Sequence, residues 1–163
     1  MGVERQSYFP LFWNMSGKTI LFVGGGRVAE RRIMALLSVV KKGLHIIVVS
    51  PEATALVDKY ATDGYIYWKR REFSPEDVDN ADFVIAASDR RDMNERIVGI
   101  CQEKGIPVND AGKKENCDFY FPGIAVKGSV VAGITASGKD HNLTRDVTKA
   151  IRELLDREVR ETE

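Results

Sequence analysis

Three consecutive glycines, Gly24-Gly25-Gly26, follow the apolar run Ile20-Leu21-Phe22-Val23 and open a helical pattern in which Val28, Ile33, Leu36, Leu37 and Val40 share one face. With Ala29 they form G-x-G-x-x-A, a pattern whose weight comes from its setting: a buried-type strand before it, a helix after it, and a second apolar strand at residues 44–49. In such a βαβ unit the first glycine permits the tight turn. The second lets the backbone approach a pyrophosphate, and the alanine lets the helix pack against the strand. The helix N-terminus then offers unbonded N–H groups to phosphate oxygens. Gly24, Gly25, Gly26, Arg27 and Val28 are therefore candidate cofactor-binding residues.

The rest of the chain repeats this texture. Residues 52–62 read as helix, 65–69 as strand, 82–87 as a continuous apolar strand broken by Ser88-Asp89, 92–104 as a helix ended by Gly105, and 106–108 as strand. Nearly continuous apolar strands alternating with helices imply a parallel sheet covered on both faces, an α/β Rossmann-like arrangement. A lead-in strand is expected near residues 8–13. After Ala111 the texture changes: Phe119-Tyr120-Phe121-Pro122 precedes two strands around Lys127-Gly128, and a helical stripe from Leu143 to Leu155 closes the chain. The division expected is a dinucleotide-binding domain at 1–112, a small β-rich region at 113–140 and a C-terminal helical segment at 141–163.

Composition narrows the partners. Lys plus Arg and Asp plus Glu both number 24 in the 163 residues, so no global charge draws the chain to nucleic acid or an anionic membrane. The apolar runs fall far short of the roughly 20 residues that span a bilayer. The first ten residues lack the basic start and apolar block of a secretory signal, which makes the cytoplasm the expected compartment. Cys101 and Cys117 are too few and too far apart for a C-x-x-C pair or a structural zinc site; they read as reduced, packed thiols, and no metal is expected.

An acidic residue that holds an adenosine ribose is expected at the end of the second strand, about 20 residues beyond the glycines. Ser50 ends that strand, followed by Pro51 and Glu52. Glu52 is placed to reach a ribose hydroxyl, whereas Arg27 suits a 2′-phosphate; the residues lean to NAD. Ser88 lies at the carboxyl end of the strand at 83–87, where ligands of open α/β sheets collect, and Asp89 reads either as a ligand contact or as a helix cap.

Taken in order and spacing, Pro10-Leu11-Phe12, the block from Val23 to Arg31, Val48-Val49-Ser50-Pro51-Glu52, Ile85-Ala86-Ala87-Ser88-Asp89, Asn94-Glu95-Arg96, Val108-Asn109, Cys117-Asp118-Phe119-Tyr120-Phe121-Pro122 and Ile134-Thr135-Ala136-Ser137-Gly138-Lys139 resemble the precorrin-2 dehydrogenase family. That family also forms the N-terminal module of siroheme synthase. The resemblance implies NAD-dependent oxidation of precorrin-2 to sirohydrochlorin by a homodimer whose second region makes dimer contacts, with iron insertion in some members. Precorrin-2 carries many carboxylates, and Arg27, Arg31, Arg32, Lys113, Lys114 and Lys139 lie in or beside the matched loops. A proton must leave the macrocycle while the cofactor takes the hydride.

Two departures from the family bear on that proton. Gly112 stands where an aspartate is common, which makes Asp110 the substitute carboxylate, with Asp118 or a water as alternatives. Asp140-His141-Asn142 replaces a small Ser-Pro step, and His141 reads either as a proton carrier or metal ligand or as an exposed residue before a helix. These changes touch iron insertion more than dehydrogenation. The rival from another class is a Rossmann module that senses NAD without chemistry, which leaves the segment after residue 110 without a role. A short-chain dehydrogenase reading of Tyr65 and Lys69 fails, because the alternation there is strand-like and separates the two by about 13 Å.

Overall fold

In the computed structural model, which describes residues 8–136 and 140–159, the chain divides into two compact units. One covers residues 15–119; the other combines the N-terminal segment to Asn14 with residues from Tyr120 onward. The first division thus falls after Phe119, and the lead-in segment groups with the C-terminal part. The Ser137-Gly138-Lys139 stretch of the family motif lies outside the described residues.

The larger unit is a five-stranded parallel sheet in the order β3-β2-β1-β4-β5, built from β1 (Thr19–Gly25), β2 (His45–Ala53), β3 (Tyr67–Lys69), β4 (Phe83–Ala86) and β5 (Val108–Asp110). Three helices connect them: α1 (Arg27–Val39), α2 (Ala55–Thr62) and α3 (Arg91–Lys104). Strand order reverses between β1 and β4, which opens a crevice at their carboxyl ends. The central strands are apolar throughout because both faces are covered: Leu21, Val23, Val49, Val84, Ala86 and Val108 pack with Ile97, Val98 and Cys101 of α3 on one side. Ile20, Phe22, Ile46, Val48 and Ile85 are buried as well, as are Ala29 and Ile33 of α1.

Several boundaries move from their sequence expectation. Pro51 does not stop β2, which runs to Ala53 and pairs it with Gly25 across a register shift; α2 therefore starts at Ala55, capped by Thr54, whose Oγ1 accepts from Val57 N. Proline is tolerated there because it lies in the register shift between the Val23–Val49 and Gly25–Ala53 pairs, where the ladder is interrupted. No strand forms at residues 8–13, where Phe9, Leu11 and Phe12 are exposed. Gly105 ends α3 in the left-handed conformation at φ 66°, as its position predicted. Both cysteines are free; burial pushes the Cys101 thiol up to about 11.

The smaller unit is an antiparallel hairpin, β6 (Gly123–Lys127) and β7 (Val130–Ile134), joined through Gly128 at φ 55° and covered by α4 (His141–Glu158). Asp140 caps α4 by accepting from Leu143 N at 2.8 Å, and Arg152 donates to the carbonyl of Ile124. Among the described residues, no helix is long and apolar enough to cross a membrane.

Candidate functional site

A cavity of about 580 Å³ occupies the crevice at the carboxyl edge of the sheet. Its floor is the glycine turn, Gly24 to Val28; one wall is Ser50 to Thr54 and the other Ala87 to Arg90. All nine cofactor-binding candidates, Gly24, Gly25, Gly26, Arg27, Val28, Ser50, Pro51, Glu52 and Ser88, line this one space.

The three glycines have different reasons for being glycine. At Gly24, φ is 112° and an added Cβ would stand 2.3 Å from the carbonyl oxygen of Ala87; at Gly25 it would meet the Cβ of Ala53 at 2.7 Å. Packing of β1 against its neighbours demands both. At Gly26 φ is an ordinary −79° and no protein atom lies within 4 Å of an added Cβ. Protein packing does not demand that glycine, so the open space beside it is room for something else. Gly26 also caps α1, with no side-chain hydrogen bond to its first turn, so backbone N–H groups of that turn are available to an anion. The arrangement fits a dinucleotide: a cradle without side chains, a helix N-terminus, and a fully buried Ala29 that brings α1 down on the sheet.

The opposite wall is held by Asn94, only 4% exposed. Its Oδ1 accepts from Ser88 N at 3.1 Å and Ser88 Oγ at 2.8 Å, while its Nδ2 donates to Ser88 O at 3.0 Å. Asp89 lines the cavity and does not cap α3, whose N-cap is Arg90 without a side-chain cap bond. Glu72, Phe73, Arg90 and Met93 are also part of the lining. Sequence reading missed all four. Glu72 and Phe73 arrive from the loop after β3, which only the sheet order places beside β2, and no motif marks them.

The carboxylate candidates sit elsewhere. Asp110 ends β5, is 4% exposed, and accepts from Gly112 N at 2.8 Å and Asn116 Nδ2 at 3.0 Å; neither it nor Asp118 lines the cavity. Asp118 accepts from Val108 N at 2.9 Å, and its own N–H donates to Val108 O, extending the edge of β5. His141 is exposed on the first turn of α4, in the smaller unit. Of the cations, Arg27 lines the cavity, whereas Arg32 donates to Asn109 Oδ1 at 2.6 Å, and Asn109 Nδ2 donates to the carbonyl of Phe119. Burial lowers the Arg32 pKa to about 10. Lys113 pairs with Glu95 at 3.4 Å. No group of three or more His, Cys, Asp or Glu among the described residues is placed to hold a metal ion.

Comparison with known proteins agrees with this cradle. A family model described as "Putative NAD(P)-binding" matches residues 11–123, more than two thirds of the chain. The chain belongs to this NAD(P)-binding family. Over 147 residues it is 35% identical to the "Probable multifunctional siroheme biosynthesis protein HemA" of Ruminiclostridium josui, covering 90% of this chain and 28% of that protein. It is 33% identical over 148 residues to the siroheme synthase of Photorhabdus laumondii, covering 91% and 31%. The chain thus spans about three tenths of the length of these relatives. Its fold matches that of "SirC, precorrin-2 dehydrogenase" at a TM-score of 0.75 and 24% identity, covering 90% of this chain and 71% of the other.

Proposed function

We propose that this NAD(P)-binding chain is an NAD-dependent precorrin-2 dehydrogenase, oxidising precorrin-2 to sirohydrochlorin on the path to siroheme. The observation that carries the reading is the Gly26 cradle, open at the mouth of the β1–β4 crevice, in a chain whose relatives are named for siroheme synthesis.

Two hydrogens leave the macrocycle, one as hydride and one as proton, and a bound nicotinamide supplies the hydride acceptor. The chain's own work is to bind and orient. First-turn N–H groups of α1 would hold the pyrophosphate, Gly24 packs against Ala87 so that the glycine turn stays joined to the segment after β4, and Asn94 fixes the Ser88 loop in one conformation. Asp110, Asp118 and His141 are the candidates for receiving the proton, with water as the fourth; Asp110 comes first because it stands at the carboxyl end of a sheet strand.

Precorrin-2 is the proposed small-molecule partner, with no nucleic acid or membrane partner, in the cytoplasm. A homodimer is supported by α4, whose Leu143, Val147 and Leu154 share one face and remain 52%, 38% and 41% exposed. An anaerobic assay with precorrin-2 generated in situ, NAD or NADP, and spectroscopic detection of NADH and sirohydrochlorin tests the function; adding ferrous iron reads any ferrochelatase activity. Turnover with NAD is expected. Tight NAD binding without turnover would instead favour a sensing module.

A further inference from the structure

Asn109 of β5 is 2% exposed, and both ends of its amide are engaged. Its Oδ1 accepts from Arg32 Nη1 of α1 at 2.6 Å, and its Nδ2 donates to the carbonyl of Phe119 at 2.6 Å. One buried side chain therefore ties together the helix that starts at the glycine cradle, the strand that carries Asp110, and the far end of the loop that follows it. Arg32 stands in the second turn of α1, about 9 Å along the axis from the N-cap Gly26.

The end of β5 depends on such anchors. This strand has three residues, lies at the edge of the sheet and pairs with β4 alone. Val108 packs with α3, so alternation along the strand turns Asn109 to α1 and Asp110 back to the α3 side. The loop then closes on the same strand. Asp118 pairs with Val108 through two hydrogen bonds at 2.9 Å, and inside the loop the Asp110 carboxylate accepts from Gly112 N and Asn116 Nδ2. Half-buried Cys117 donates its thiol to the carbonyl of Asp110 at 3.2 Å. The burial that lowers the Arg32 pKa is opposed by Cys117 and Asp110, so the guanidinium stands in the field of this loop.

We infer that Arg32 is a positioning residue for the dehydrogenation: through Asn109 it locks the helix of the glycine cradle to the strand end and loop that hold Asp110 and Asp118, whichever of the two takes the proton. This role rests on the dehydrogenase reading above. A planar guanidinium on an amide already held at its other end has little freedom, and a small displacement of a reacting group costs rate more than affinity.

The test combines steady-state oxidation of precorrin-2 with NAD, NADH binding by fluorescence, and the alkylation rate of Cys117 followed by mass spectrometry. It uses the full chain, Arg32→Met, Arg32→Lys, Asn109→Ala and the double variant of Arg32→Met with Asn109→Ala. Arg32→Met should lower kcat about 10- to 100-fold while KM for precorrin-2 and Kd for NADH stay within about threefold, because the glycine turn is unaltered. Arg32→Lys keeps a charge and a donor and should recover part of the lost kcat. The double variant should lose little more than the worse single one, since both act through one link. Cys117 should be alkylated several-fold faster in Arg32→Met, as its loop opens more often.

A folded Arg32→Met with unchanged kcat overturns the assignment, even if Cys117 reacts faster. So does a loss confined to KM for precorrin-2, which would make Arg32 a substrate contact. Should Arg32→Met fail to fold, unchanged kcat in both Arg32→Lys and Asn109→Ala overturns it instead. An unsubstituted chain that binds NADH without oxidising precorrin-2 brings down the dehydrogenase reading and this role with it, an outcome distinct from turnover that is indifferent to Arg32.

Discussion

Gly24 and the carbonyl oxygen of Ala87 are so close that a single added carbon on Gly24 would stand 2.3 Å from that oxygen. This contact joins the end of β1 to the segment after β4, the two strands that flank the crevice, and Ala87 N in turn donates to Val23 O at 2.8 Å. Two residues along, Gly26 touches nothing within 4 Å of the same added carbon. Two glycines of one motif therefore differ: packing demands Gly24, and the protein's own packing makes no demand on Gly26.

Substitution separates the two. Gly24→Ala should cost about 2–4 kcal/mol in stability, from positive φ and overlap with backbone. Gly26→Asp should fold as well as the unsubstituted chain or slightly better, because aspartate is a favoured N-cap and Gly26 already has cap geometry. The same aspartate should weaken NAD binding by about 100-fold or more, placing negative charge against the pyrophosphate. Denaturant melts and calorimetry read both; unchanged NAD affinity in Gly26→Asp sinks the site assignment.

Asn94→Ala removes three hydrogen bonds to Ser88 and leaves its N–H and carbonyl without their partner. The expected loss is about 2 kcal/mol, or a Tm lower by roughly 6 °C, together with weaker dinucleotide binding. A stable variant with unaltered binding would show that the Ser88 wall does not depend on this clamp.

Asp77 makes the loop after β3 sensitive to acid. Burial would raise its carboxyl pKa, but hydrogen bonds from Arg71, Ser74 N and Lys69 outweigh burial and hold it well below the usual carboxylate range. With the folded pKa depressed, the contribution to stability is complete above the unfolded value near about 4 and fades as pH falls from there toward the folded value. The stability difference between the unsubstituted chain and Asp77→Asn should therefore be large at neutral pH and shrink in acid. Equal differences by urea titration at neutral pH and near pH 3 would contradict this account.

In the smaller unit, Gly123 lies under Thr148: an added Cβ would stand 2.3 Å from Thr148 Oγ1. Gly123→Ala should cost about 1–3 kcal/mol, and part of that should return when Thr148→Ala is combined with it. Additive losses in the double-mutant cycle would mean that the overlap is relieved by movement of the hairpin.

The glycine motif, the apolar strands and the left-handed Gly105 were legible in the sequence because each is a local demand: a turn, a buried run, a helix end. The nine residues named from that motif and from two strand ends all line one cavity, since parallel strands of a doubly wound sheet end on the same edge. Pro51 misled the strand boundary because pairing of Ala53 with Gly25 is a contact between residues 28 positions apart. The exposed segment at residues 8–13 was misread for a related reason: apolar pattern marks a strand only where a neighbour is available to pair with it.

From the sequence alone came the Rossmann-like class, the phosphate cradle and the family resemblance, because spacing along the chain carries backbone geometry and helix periodicity. Only the tertiary structure decided that Glu72 and Phe73 line the same cavity, that Asn94 clamps Ser88, and that Gly24 is held by packing while Gly26 faces open space. Those facts depend on strand order and on atoms far apart in sequence meeting within a few ångströms, which a residue pattern does not encode.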